Sequence, residues 1–178
     1  CAFSEYRNWV ISNFLLATAN RLSTIANIKI KHLNFEDEEI VLHKVKNRKA
    51  YIIPMHGQLK QILLEYLSFR GGAPDDYLFC SETDDLKPLA KNSIKSAIAR
   101  YNRKRGVTKT SVHLYRNTMA KYWIINGGDP FRLQAMLGHK TLDMVKEYLN
   151  MYSDDLKKDF DKVNPLTQFA TGERIRMK

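Results

Sequence analysis

The sequence predicts a mainly α domain with one small antiparallel β-sheet, an α+β fold, on three observations. Apolar residues recur at helical spacing along most of the chain, one pair of short runs favours β-structure, and glycine or proline marks most of the joins. The 178 residues suffice for one compact core and are few for two ordinary domains. One domain over residues 1–163 and a less periodic tail over 164–178 are therefore expected.

From Tyr6 to Ile28 the stripe Trp9, Ile11, Phe14, Leu15, Ala19, Leu22, Ile25 and Ala26 has helical spacing. Two helices are expected, broken near Ala19-Asn20, with Arg21 at the joint. An arginine among apolar neighbours is seldom buried without an anion to hold it, and Glu36 or Asp37 would be the ordinary partner. Ile40-Val41-Leu42 and Tyr51-Ile52-Ile53 then bracket a basic tip, which predicts a hairpin turning at Asn47. Lys44, Lys46, Arg48 and Lys49 on that tip suit a phosphate backbone, although lysines also keep ordinary sheet edges soluble. Pro54 and Gly57 are expected to end the sheet.

Gln58 to Phe69 forms an amphipathic helix closed by Gly71-Gly72-Ala73-Pro74, and Tyr77 to Cys80 is a short strand or extended segment. A further helix runs from about Ser93 to Lys104, apolar at Ile94, Ala97, Ile98 and Tyr101. Lys91, Lys95, Arg100, Arg103, Lys104 and Arg105 occupy its other face and end, with no acidic residue between Leu89 and Val112. A solvated face usually mixes both signs, so this run points to phosphate contact without specifying a sequence. Thr110 or Ser111 is expected to cap the next helix, whose first turns hold His113 and Arg116 on one face. Gly127-Gly128 stops it, and Asp129-Pro130 opens another that buries Leu133, Met136 and Leu137 and ends at Gly138. His139 follows, Thr141 caps a helix carrying Tyr148, and Leu156, Phe160 and Val163 stripe a last one.

The charge balance narrows the function. Lys and Arg number 29 against 19 Asp and Glu, a net +10 with a pI near 9.6, which favours nucleic acid first and a membrane surface second. No run approaches the ~18 apolar residues of a spanning helix. Cys1 and Cys80 form no Cys-x-x-Cys pair, so neither a disulfide framework nor a thiolate metal site is suggested, and a reducing cytoplasm fits. His113 and His139 stand 26 residues apart without clustered carboxylates, which disfavours a zinc or two-metal nuclease. No phosphate-cradling glycine loop and no Gly-x-Ser-x-Gly elbow occurs.

Taken singly, each polar residue has an ordinary explanation: a structural histidine, a core tyrosine. Together, Arg21, Lys46, His113, Arg116, His139 and Tyr148 suit transfer of a phosphodiester to a protein hydroxyl. Negative charge spreads over the non-bridging oxygens in flight, and two guanidiniums can clamp them without a metal. A phenol of ordinary pKa about 10 needs a base or local positive charge to attack at neutral pH, which His113 and the arginines can supply. The departing 5′ alkoxide needs a proton, which assigns Lys46 as general acid on its tip. His139 would donate a hydrogen bond to the phosphate and help position the helix of Tyr148, the nucleophile.

His113-Leu114-Tyr115-Arg116, Leu137-Gly138-His139 and Tyr148 nine residues later resemble the tyrosine recombinase, or phage integrase, family in order and spacing. Arg21 matches its first arginine. Lys46, 25 residues on and eight before Pro54, falls at its hairpin lysine. The resemblance runs from about Tyr6 to Asp159 and implies a catalytic domain of that family's kind. It implies attack by the tyrosine to give a 3′-phosphotyrosyl bond and a free 5′-OH, then rejoining, with no cofactor, ATP or metal. Its partners would be a double-stranded DNA recombination site and further copies of the chain, typically a tetramer that exchanges a C-terminal segment, with no membrane. It further implies a bacterial, cytoplasmic, nucleoid-associated protein of a mobile element, and a helical DNA-binding domain ahead of Cys1. A DNA-binding protein with impaired catalysis and a type IB topoisomerase are the alternatives. The family usually has an acidic residue three after its first arginine and Gly-Leu before it; this chain has Thr24 and Ala19-Asn20.

Overall fold

The computed structural model describes residues 3–43, 50–81, 87–138 and 143–152. Helix α1 (Phe3–Thr18) is the central post, flanked by α3 (Gly57–Arg70), α4 (Lys91–Arg103) and α5 (His113–Ile125). It turns each apolar residue of its stripe into a different neighbour, so Val10, Ile11, Phe14 and Leu15 are all buried. Helix α2 (Leu22–Asn27) follows after the expected break, because Ala19 leaves the helical region at φ 51°.

Strands β2 (Glu39–His43) and β3 (Ala50–Pro54) pair antiparallel with Val41 opposite Ile52, in the expected hairpin. Residues 44–49, with the basic tip, lie outside the described residues. A two-residue strand β1 (Leu33–Asn34) adds to the edge, giving the order β1-β2-β3; so short a pairing carries no periodic signal in sequence. Ile40, Leu42 and Ile53 face the core and Ile52 faces outward, as alternation requires. Tyr51 shares the inward face with Ile53, and this carries its phenol towards the α1–α2 joint.

Gly57 does not end the sheet. Pro54 is the last strand residue, and Gly57 opens α3, capped by His56, whose Nδ1 accepts from Gln58 N at 3.2 Å. The segment from Tyr77 to Cys80 makes isolated bridges, Lys29 to Tyr77 and Cys80 to Pro88, and buries Leu78 and Phe79 against the main core. Helix α5 is likewise not capped by Thr110 or Ser111: Val112 holds the cap position without a side-chain bond, and its apolar side chain is buried. Helix α6 (Pro130–Leu137) is capped as expected, Asp129 Oδ1 accepting from Arg132 N at 2.7 Å, and stops at left-handed Gly138. Leu133 and Leu137 are buried while Met136 is partly so.

Helix α7 (Asp143–Tyr152) closes the described chain; Thr141 and the stripe Leu156, Phe160 and Val163 lie outside it. A second, small core joins Ala19, Ala120, Ile124, Leu133, Leu137 and Val145 beneath α7. Among the described residues no helix is long and apolar enough to cross a membrane.

Candidate active site

Two helix ends and one guanidinium make the frame. The last carbonyls of a helix lack intrahelical donors and carry partial negative charge. Arg116 satisfies two of them at once, Nη1 donating to Ala19 O beyond α1 at 2.7 Å and Nη2 to Leu137 O at the end of α6 at 2.6 Å. These partners orient the guanidinium without cancelling its charge. Burial, then repulsion from Arg21, holds Arg116 below the ordinary guanidinium range, while Tyr148 and Tyr51 pull it back up. An arginine so placed stays protonated in any working buffer. Two like charges facing one space favour an anion between them.

Arg21 is the N-cap residue of α2, its backbone extended and its carbonyl accepting from Thr24 N at 2.9 Å. Its side chain is exposed, and among the described residues neither Glu36 nor Asp37 holds it. What lies beneath is neutral. Tyr51 Oη donates to Asn20 Oδ1 at 2.9 Å, and the Thr24 hydroxyl bonds the same phenol. Burial pushes the Tyr51 phenol up, against the Thr24 bond and the charges of Arg21 and Arg116, so it remains an O–H donor. Asn20 is buried, and its Nδ2 finds no acceptor among the described residues.

Tyr148 sits on α7, partly buried with Leu149 against the small core. Its Oη donates to Asn117 Oδ1 at 2.8 Å, one residue beyond Arg116 on α5. His113 is the first residue of α5 and exposed, one turn before Arg116. The structure therefore brings Arg21 and Tyr148 each into electrostatic reach of Arg116, with His113 at the near end of the same helix. Lys46 and His139 lie outside the described residues, as do Lys44, Arg48 and Lys49.

The basic residues after β3 divide. Lys91, Lys95 and Arg103 are exposed on α4. Lys104 instead pairs with Glu5 of α1 at 2.7 Å, which lowers the Glu5 carboxyl, and Arg105 lies 3.5 Å over the Tyr101 ring. The one-signed run in sequence is thus partly answered by a carboxylate about a hundred residues away.

Sequence reasoning missed Tyr51, Asn20 and Asn117. Each phenol near the arginines is held by an asparagine adjacent to one of them, Asn20 before Arg21 and Asn117 after Arg116, and each contact spans 31 positions. The only local signal was that adjacency.

The model of the Phage integrase family matches residues 2–154. A tyrosine recombinase of Pseudothermotoga lettingae is 25% identical over 168 residues, covering 94% of this chain and 56% of the relative. Tyrosine recombinase XerA of Pyrococcus furiosus is 29% identical over 172 residues, covering 95% and 59%. The chain thus spans a little over half the length of these curated relatives. Among solved structures, a XerA recombinase superposes with a TM-score of 0.71 at 24% identity, over 97% of this chain and 58% of that one. XerH bound to a palindromic difH substrate, in a post-cleavage complex, gives 0.72 at 20% identity, over 94% and 48%.

Proposed function

We propose, from the premise that this chain belongs to the phage integrase family, that it is a site-specific recombinase that breaks and rejoins DNA strands through a 3′-phosphotyrosyl intermediate. The observation that carries the proposal is the placement of Arg116. Two backbone carbonyls, Ala19 O and Leu137 O, orient its guanidinium at the junction of α1 and α6, and Tyr148 of the same chain stands close enough to feel its charge.

In this reading the scissile phosphate lies between Arg21 and Arg116, which take its non-bridging oxygens. The Tyr148 oxygen attacks phosphorus as its proton passes to a base, with His113 the candidate on α5, and the bond to the 5′ oxygen breaks. Lys46 protonates the departing alkoxide and His139 donates to the phosphate. Rejoining is the reverse with a second 5′-OH, and the phosphotyrosyl bond retains the phosphodiester's energy. Lys44, Arg48, Lys49, Lys91, Lys95 and Arg103 grip the backbone, with Lys104 and Arg105 at the margin because each already has an internal partner. The assembly is a tetramer on paired sites of a mobile element in the bacterial nucleoid. Support for a DNA partner comes from the XerH neighbour, which is bound to its difH substrate.

The test is covalent capture. The chain is incubated with a pool of nicked duplexes of randomised sequence, and denaturing gels followed by sequencing identify what becomes protein-linked. An adduct through the DNA 3′ end is expected, lost in Tyr148→Phe while DNA binding persists, and binding should weaken steeply with salt. Tight binding without any adduct would overturn the proposal in favour of a DNA-binding protein that has lost catalysis.

A further inference from the structure

We infer that Asn117 is a positioning residue for the attacking phenol, an assignment that rests on the reading of Tyr148 as nucleophile. Tyr148 Oη donates to Asn117 Oδ1 at 2.8 Å. Asn117 directly follows Arg116, whose guanidinium is tied to the ends of both α1 and α6. The amide therefore stands on the turn of α5 that is most firmly fixed relative to the arginine cleft.

The rest of α7 is held differently. Val145, fully buried, and Leu149 seat it by apolar contact. Such contacts fix where the helix lies but set no direction for a phenol, which can still swing about its two side-chain torsions. A phenol has a single O–H. Committing it to the amide oxygen fixes that rotor and turns the lone pairs of Oη away from Asn117. A carboxamide oxygen is too weak a base to keep the proton, so the contact sets geometry and leaves proton removal to another group.

Both partners belong to one chain, so the nucleophile is aimed within the same protomer that supplies Arg116. The competing explanation is an ordinary hydrogen bond between an exposed asparagine and a partly buried tyrosine, worth something to folding and nothing to the reaction. The two differ in what they do to rate at fixed binding.

Asn117→Leu removes the acceptor while keeping the same branched heavy-atom skeleton, and Asn117→Asp restores an oxygen at the same reach. Single-turnover adduct formation would be measured with a nicked duplex recovered from the randomised pool, alongside affinity for that duplex. Misplacing a reacting atom by about 1 Å costs up to about a hundredfold. Asn117→Leu is expected to slow adduct formation about tenfold or more with affinity unchanged, and Asn117→Asp to recover most of the loss. The Tyr148 ring-carbon resonance, identified by its disappearance in Tyr148→Phe, should shift in Asn117→Leu. If Tyr148→Phe abolishes the adduct while Asn117→Leu forms it at the wild-type rate, the positioning role is wrong and the nucleophile stands. A rate loss that only tracks lost affinity, with no recovery in Asn117→Asp, also overturns it. An adduct that persists in Tyr148→Phe removes the nucleophile reading itself.

Discussion

The core shared by α1, the sheet, α3 and α4 buries Phe14, Ile53, Leu63 and Tyr66 completely, and α2, whose N-cap is Arg21, packs into it through Ile25 and Ala26. The core beneath Tyr148 is a much smaller set, Ala19, Ala120, Ile124, Leu133, Leu137 and Val145, with small side chains at two of those positions. The proposed clamp and the proposed nucleophile are therefore mounted on regions of unequal strength. Buried apolar area sets how costly it is to open a region, so the α6–α7 module should open locally before the rest. Arg116 is the bridge, since its bonds to Ala19 O and Leu137 O join the end of α1 to the end of α6.

Breaking that bridge should have the largest effect. Arg116→Ala removes a clamp from the phosphate and strands two carbonyls, and a loss of about 10³-fold in single-turnover adduct formation is expected. Arg116→Lys keeps the charge and cannot reach both carbonyls, so it should recover DNA affinity more than rate. Equal recovery of both would show that charge alone matters and that the bridge does not.

The inequality of the cores can be tested by one substitution made in each. Leu63→Ala and Leu133→Ala both truncate a fully buried leucine and should each cost about 3 kcal/mol locally. Hydrogen exchange separates them. In Leu133→Ala, amides of α7 should exchange faster while those of β2 and β3 keep their protection; in Leu63→Ala protection should fall throughout. If Leu133→Ala speeds exchange everywhere, the domain opens as one unit and the comparison fails.

What could be read from sequence follows the same division. Local signals gave the helix joint before Arg21, the hairpin, the Asp129-Pro130 start and the Gly138 stop, because each depends on neighbours within a few positions. The proposed triad of Arg21, Arg116 and Tyr148 rests in sequence on spacing and family resemblance. Its supports are not legible there. The carbonyl partners of Arg116 lie 97 and 21 residues away, and a carbonyl has no residue identity to read. Thr24 looked like a missing carboxylate, yet its hydroxyl meets Tyr51, a residue that in sequence was only a strand former. Thr110 and Ser111 had the right chemistry for a cap and lost to Val112, whose burial decided where α5 begins.

Tyr51 gives a smaller, sharper test on the strong side. Tyr51→Phe deletes the bonds to Asn20 and Thr24 and leaves the ring packed, a loss of roughly 1 kcal/mol per hydrogen bond. Adduct formation should slow by about tenfold if the neutral network orients Arg21, consistent with that energy. An unchanged rate with lowered stability would confine Tyr51 to folding.

The smallest effect should come from the surface tie within the strong side, between Glu5 of α1 and Lys104, the C-cap of α4. The Lys104 hydrogen bond and charge hold the Glu5 carboxyl below its ordinary 4.5. A carboxyl lowered in the folded state binds protons more readily when unfolded, so its contribution is complete above the unfolded pKa and vanishes as pH falls through the folded one. Glu5→Gln should therefore melt slightly below wild type at neutral pH, and the two curves should converge in acid. Both groups face solvent, so added salt should shrink the difference as well. Because Glu5 also neutralises one lysine of the α4 run, the same variant should bind DNA slightly more tightly at low salt. If Glu5→Gln weakens DNA binding instead, Lys104 needs its carboxylate partner to be placed, and the basic margin of α4 is set by α1 rather than by charge alone.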